Sequence, residues 1–451
     1  MNIQNHLPTY AENHARLPKS YGQGFCPWVP IILSSSVTED GNALRVSTVV
    51  PVYGTKVDML RRVSPDEECR SDMGFDRGAP HSLYIHIPFC ISKCTYCDFN
   101  STVIKSQLVG EYLKAIENEF QLINKKYSFK TVYIGGGTPS VLDETQLSRL
   151  LNIISKYVDV FNLKEYTIEA NPGTLNNEKI HILKNSHVNR VSIGIQSFND
   201  KYLKFLGRIH TAKETKDIFL NLREKGFGNI NIDLIYGYPG QTLNEWKMDL
   251  RICSRLNPEH VSAYCISYEQ GTPLANLIDS GISKKLSEEE ELKMYENTKD
   301  FLINNGYIHY EISNFARQGK ECQHNIVYWE NREYIGIGTG AFSYVNGERY
   351  CNIKDVKEYI SNVKSKNSLI CFSEKLSQKK RASEILIMAL RMTSGISKHE
   401  FLDRSGFDLA ELFGKQLSNL AQAGLITFDD ERIKLTRKGL SVADSVMMEF
   451  V

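Results

Sequence analysis

Nowhere does the chain hold the roughly 18 consecutive apolar residues that a membrane-spanning helix needs, so no integral membrane segment is expected. The charged start and apolar stretch of a secretory signal are missing as well. A soluble, cytoplasmic protein is the expectation. Charge of one sign is also lacking, with 54 Lys and Arg against 53 Asp and Glu. No global field therefore favours nucleic acid or an anionic membrane over other partners. Cysteine is sparse, at ten in 451 residues, which excludes a disulfide framework. Only Cys90, Cys94 and Cys97 cluster; Cys26, Cys69, Cys253, Cys265, Cys322, Cys351 and Cys371 are scattered and read as ordinary thiols.

Residues 1–80 hold seven of the 13 prolines and show no sustained period of helix or strand. They read as a poorly ordered N-terminal extension. Eight basic residues against nine acidic ones argue against an organelle transit peptide, which is rich in Arg and poor in acids. From Ser82 the pattern changes to short β-branched and aromatic runs alternating with amphipathic helices. Strands are expected at 82–87, 131–135, 166–170, 190–195, 229–237 and 260–266. Between the first two, Val109, Tyr112, Leu113, Ile116, Phe120 and Ile123 recur three or four apart, the signature of a helix burying one face. This alternation predicts an α/β fold, a partial (βα)6 barrel over 81–285. A different region follows at 286–377, and 378–451 reads as a winged-helix-like α+β unit. From Ile396 onward nine acidic residues face seven basic ones, so the electrostatic footprint of DNA binding is missing and a packing or partner-contact module is expected.

Ligands of such a sheet sit at the carboxyl ends of its strands. The unusual residues fall there: Cys90 after the first strand, Gly135 to Pro139 after the second, Glu169 to Gly173 closing the third, Gln196 and Ser197 after the fourth, and Asp233 in the fifth. Each alone has a plain reading as a turn or a cap. Together they mark one site. The stretch SLYIHIPFCISKCTYCDFNS sets three cysteines at C-x3-C-x2-C with no second pair behind them. A structural zinc site needs four ligands, whereas three thiolates on a four-iron cluster leave one iron open to an outside ligand.

This spacing, with an aromatic before the last cysteine, resembles the fingerprint of the radical S-adenosylmethionine (SAM) superfamily. The resemblance implies a 4Fe–4S cluster held by Cys90, Cys94 and Cys97, with SAM at the open iron. It further implies that Tyr84, Tyr96, Gly136, Gly137, Thr138, Glu169, Gln196, Arg208 and Asp233 line SAM, and that His86 organises the cluster site. YIHIPFC, GGGTPS, IEANPG, SIGIQSF, LGRIH and IDLIYGYPGQT resemble one branch, the oxygen-independent coproporphyrinogen III oxidase group and its HemW-type haem chaperone relatives. Oxidases of that branch carry a fourth cysteine two places after the third, where this chain has Phe99 behind Asp98. The motif His324-Asn325-Ile326-Val327-Tyr328-Trp329 resembles the H-N-x-x-Y-W of the chaperones, implying that His324 ligates haem iron. His86 and His309 are the next imidazoles in line.

A chaperone that binds haem and gives it to haem-requiring proteins, respiratory enzymes among them, is therefore expected. It needs an electron donor for its cluster, and no catalytic residue is expected. A decarboxylating oxidase is the alternative. Nothing beyond the shared core speaks for a haem-degrading or methyl-transferring enzyme.

Overall fold

A computed structural model describes residues 82–123 and 127–451. The extension expected at 1–80 lies outside the described residues. Twelve strands form one sheet: β1 (Ser82–Ile87), β2 (Thr131–Gly136), β3 (Glu165–Ala170), β4 (Arg190–Gln196), β5 (Ile230–Tyr236), β6 (His260–Cys265), β7 (Ile308–Glu311), β8 (Asn314–Ala316), β9 (Tyr334–Ile337), β10 (Phe342–Val345), β11 (Glu348–Asn352) and β12 (Ile370–Lys375). Their spatial order is β12-β11-β10-β9-β1-β2-β3-β4-β5-β6-β8-β7. Strands β1 to β6 run parallel in sequence order, as expected of a partial barrel.

The sheet continues past residue 285. Strand β9 pairs parallel with β1, Leu83 opposite Ile335, and adds a seventh parallel strand that the alternation of the first six did not announce. Antiparallel strands extend the sheet at both edges.

The helices between strands form where the apolar period placed them. In α1 (Ser106–Leu122), Val109, Tyr112, Leu113, Ile116 and Phe120 are buried, against a core that includes Leu83, Ile85, Val132 and Ile134. Capping boxes begin α2 (Glu144–Tyr157), the helix Ala212–Glu224, the helix Leu243–Leu256 and the helix Glu288–Asn304, through Asp143 with Gln146, Thr211 with Glu214, Thr242 with Glu245, and Ser287 with Glu290. Each satisfies two orphan amides, and its N-cap side chain contributes about 1 kcal/mol.

One residue on the buried face of α1 is not apolar. Glu119 is 5% exposed and accepts hydrogen bonds from Gly338 N (2.8 Å), Asn352 Nδ2 (2.7 Å) and Tyr359 Oη (2.5 Å). Burial pushes its carboxyl above the ordinary range, opposed by these three donors. This hub ties the loop after β9, the end of β11 and the helix Val356–Ser365 to the barrel wall.

The C-terminal unit has its own core, including Leu386, Phe401, Leu417 and Ile433. A three-stranded sheet of Ile396–Ser397, Arg432–Leu435 and Ile426–Phe428 stands among its helices, in keeping with a winged-helix-like arrangement. Among the described residues no helix is long and apolar enough to cross a membrane.

Candidate cofactor cleft

The thiols lie on the segment that follows β1, and this segment is stitched shut. Phe89–Cys90 pairs in parallel with Thr102–Val103, with Thr102 N donating to Pro88 O at 2.7 Å and Ile104 N to Cys90 O at 2.9 Å. His86 fastens it from below, with its Nε2 2.8 Å from Asn100 O and its Nδ1 3.0 Å from Tyr84 Oη.

The glycine loop after β2 lies against the same segment. Gly137 N donates to Ile87 O and Thr138 N to Phe89 O, both at 2.8 Å. A Cβ on Gly137 would come within 2.7 Å of Phe89 O, and one on Gly136, at φ +114°, within 2.5 Å of the His86 ring. No side chain fits at either place.

Around this mouth the expected residues assemble. Cys90, Cys94, Cys97, Tyr96, Gly136, Gly137, Thr138, Glu169, Gln196, Arg208 and Asp233 line one cleft holding about 1060 Å³ of empty space, part of it continuous with solvent. Tyr84 is placed elsewhere: it is 5% exposed, packs against Tyr133 at 6.3 Å between ring centroids and does not line the cleft. Its part is to hold His86.

Cys90 Sγ is 3.6 Å from Thr138 Oγ1, and Arg208 Nη1 lies 3.6 Å from Cys94 Sγ while Nη2 donates to Gly194 O at 2.5 Å. Burial pushes the Cys90 thiol up and the Cys97 thiol up to about 12. Iron would reverse this, because a coordinated thiol is deprotonated. Glu169 accepts from Tyr133 Oη (2.8 Å) and Gly136 N (3.0 Å), and burial lifts its carboxyl to about 8. Asp233 accepts from Asn231 Nδ2 (2.7 Å) and Ser192 Oγ (3.1 Å).

The donor set suits the cofactors that the spacing implies. Gln196 Oε1 and the Nε atoms of Arg208 and Arg190 are buried without a partner at this cleft, so donors and acceptors stand ready for a zwitterionic ligand. Among the described residues no three His, Cys, Asp or Glu side chains converge as a single metal ion would require. A four-iron cube presents separate corners to separate thiolates, so the three cysteines fit it without converging.

The cleft reaches deeper than the sequence reading placed it. Arg190, Ser192, Asn231, Ser262, Tyr264 and Asn325 line its lower part. Asn325 comes from the H-N-x-x-Y-W motif, which forms the short helix α7 (Gln323–Trp329). Glu165, at the start of β3, caps α7 by accepting from Gln323 N (2.8 Å) and His324 N (3.2 Å). This helix therefore closes the barrel beneath the cleft, and Asn325 Oδ1 stands buried and unpaired at the cleft wall.

His324 is fully buried. Its Nδ1 lies 2.7 Å from Thr131 Oγ1 and its Nε2 2.9 Å from Tyr328 Oη, and its ring stacks on Tyr133 at 5.2 Å. Burial, followed by the Arg190 charge, holds the imidazole well below its ordinary pKa. Tyr328 and Trp329 are each 4% exposed, and the Arg391 guanidinium covers the Trp329 ring at 4.5 Å. Iron ligation by His324, expected from the motif, would require exchanging hydrogen bonds at a ring that is here buried and engaged at both nitrogens. His86 is likewise bonded through both nitrogens, and His309 is half-buried with Nε2 3.2 Å from Ile312 O.

Comparison with known proteins agrees with this architecture. Residues 84–253 match the radical SAM superfamily and residues 376–442 the HemN C-terminal domain. The protein described as heme chaperone HemW in Lactococcus lactis subsp. lactis (strain IL1403) is 40% identical over 372 residues, covering 82% of this chain and 97% of that protein. Its namesake in Bacillus subtilis (strain 168) is 39% identical over 376 residues, covering 82% and 99%. Among solved structures, coproporphyrinogen III oxidase (HemN) from Escherichia coli, described as a radical SAM enzyme, matches with a TM-score of 0.72 at 25% identity, over 82% of this chain and 90% of that one.

Proposed function

The chain belongs to the HemW-type haem chaperone family within the radical SAM superfamily, and from that premise we propose that it binds haem and passes it to haem-requiring proteins in the cytoplasm. Haem is cargo, and respiratory enzymes are among the acceptors. Cys90, Cys94 and Cys97 hold the 4Fe–4S cluster. Gly136, Gly137, Thr138, Glu169, Gln196, Arg208 and Asp233 hold SAM, with Tyr96 against the cluster segment. When bound and reduced by a partner protein, the cluster supplies one-electron chemistry to the sulfonium of SAM.

The chain's own part is positioning. Arg208 is anchored on Gly194 O, which leaves its Nε for a carboxylate. Glu169 and Asp233 offer oxygens to ammonium or hydroxyl groups. Replacing Arg208 with Ala should weaken SAM binding by about 1.5 to 3 kcal/mol, the worth of a charge-assisted hydrogen bond. Calorimetric titration of the reconstituted protein with SAM checks this, and unchanged affinity would remove Arg208 from the site.

The observation that carries the choice of chaperone over oxidase is Phe99. It lines the cleft at the position where oxidases of the wider group carry a further cysteine. An apolar ring cannot ligate iron or exchange a proton. Anaerobic incubation of the reconstituted protein with coproporphyrinogen III, SAM and a reductant should accordingly form no protoporphyrinogen. Turnover in that assay would replace this reading by the oxidase.

A further inference from the structure

Two of the cysteines that look isolated in the sequence meet in the fold. Cys351 lies in β11 and Cys371 in β12, adjacent antiparallel strands whose register shifts between Cys351 and Asn352. Cys351 stands opposite Phe372 and Asn352 opposite Ile370, so Cys371 is the extra residue of a bulge. The bulge turns both thiols toward one carbonyl: Asn352 O accepts from Cys351 Sγ at 3.2 Å and from Cys371 Sγ at 3.3 Å. The two thiols also interact with each other. Cys351 is 1% exposed and Cys371 open to solvent. One thiol meets solutes and the other waits behind it.

We propose that Cys351 and Cys371 are a thiol–disulfide pair, a modification site apart from the cluster cleft, oxidised by a low-molecular-weight disulfide such as glutathione disulfide. Both sulfurs lie within 3.3 Å of the same carbonyl oxygen, so side-chain rotation at the bulge can bring them to the short S–S separation a disulfide needs. The roles of the two sulfurs differ. Turned from Asn352 O to the neighbouring sulfur, the Cys351 S–H, reinforced by the Lys354 charge, brings the Cys371 thiol down to about 7, while that same interaction and burial hold Cys351 above its ordinary range. Cys371 is the nucleophile.

Its thiolate attacks one sulfur of glutathione disulfide, the S–S bond breaks, and one glutathione thiolate departs. Cys351 sulfur then attacks the Cys371 sulfur of the mixed disulfide. The second glutathione leaves as thiolate and takes up the Cys351 proton. The pair loses two electrons and two hydrogens, and glutathione disulfide becomes two glutathione thiols. The new bond fixes the sheet's edge strand β12 beside Asn352, whose side-chain amide donates to Glu119 Oε1 (2.7 Å) and Gly338 O (3.0 Å).

The test uses the full chain, reconstituted and kept anaerobic. It is exposed to glutathione disulfide, acid-quenched and unfolded, its remaining thiols are alkylated in denaturant, and its peptides are mapped by mass spectrometry. A linked peptide joining residues 351 and 371 is expected, with alkylation lost at both sites together and restored by dithiothreitol. In Cys371→Ser, a change at an exposed position, Cys351 should stay alkylatable and carry no glutathione. A stable glutathione adduct on Cys371 with Cys351 still alkylatable, or no reaction at either thiol, would overturn the proposal.

Discussion

Replacing Cys94 with Ser is expected to abolish the iron–sulfur cluster. Iron should fall from about four per chain to near zero, with loss of the charge-transfer absorption and of the reduced cluster's EPR signal. A hydroxyl is a far poorer ligand than a thiolate, and among the described residues three thiols, Cys90, Cys94 and Cys97, line the cleft, so the change leaves two thiolates there. Cys322→Ser is the matched control. That thiol is fully buried beside Glu165 Oε1 at 3.3 Å, where it begins α7, and it belongs to the barrel floor. Its cluster spectrum should be wild type. A cluster that survives Cys94→Ser would mean that the C-x3-C-x2-C loop is not the ligand set.

The second large effect falls on His324. If this ring is framework, His324→Ala should cost about 3 to 5 kcal/mol of stability, because it removes two buried hydrogen bonds and leaves a cavity beside Tyr133. The pH dependence separates this from a generic packing loss. The folded imidazole is held neutral well below its ordinary pKa, so below about pH 6.5 only the unfolded chain takes up that proton. Wild-type stability then loses about 1 kcal/mol between pH 6.5 and 5.5 through His324 alone, and the variant does not. The gap between them should narrow as pH falls from 6.5 to 5.5, measured by urea midpoints. Under conditions where the variant is folded, bound haem should keep the wild-type Soret position. A displaced Soret band in folded His324→Ala would restore the imidazole as iron ligand.

These two cases also mark what was legible in the sequence. Strands and helices of the barrel stood out because the strands are short runs rich in β-branched and aromatic residues and the helices between them repeat an apolar face. The seventh strand, YIGI, was not recognised as sheet because it pairs with β1 across more than 240 residues of chain, and no local pattern encodes such a pairing. In the cleft, Gln196 and Asp233 were found from their places at or near strand ends. Asn231, two residues before Asp233, and Gly194 and Ser192, two and four before Gln196, line the same lumen by strand alternation. Applying that period would have found them. For H-N-x-x-Y-W the surroundings were not legible. Nothing local tells a buried, doubly bonded imidazole from an open one, since Thr131, Tyr133 and Glu165 reach His324 from distant strands.

The most direct measurement on the central claim is a haem titration of the reconstituted full-length chain, followed by Soret absorbance, with bound haem then offered to an apo-haem protein. Saturable binding and transfer of the Soret signal to the acceptor are the results expected of a haem chaperone. Failure of the intact, cluster-loaded protein to develop a Soret band would contradict it.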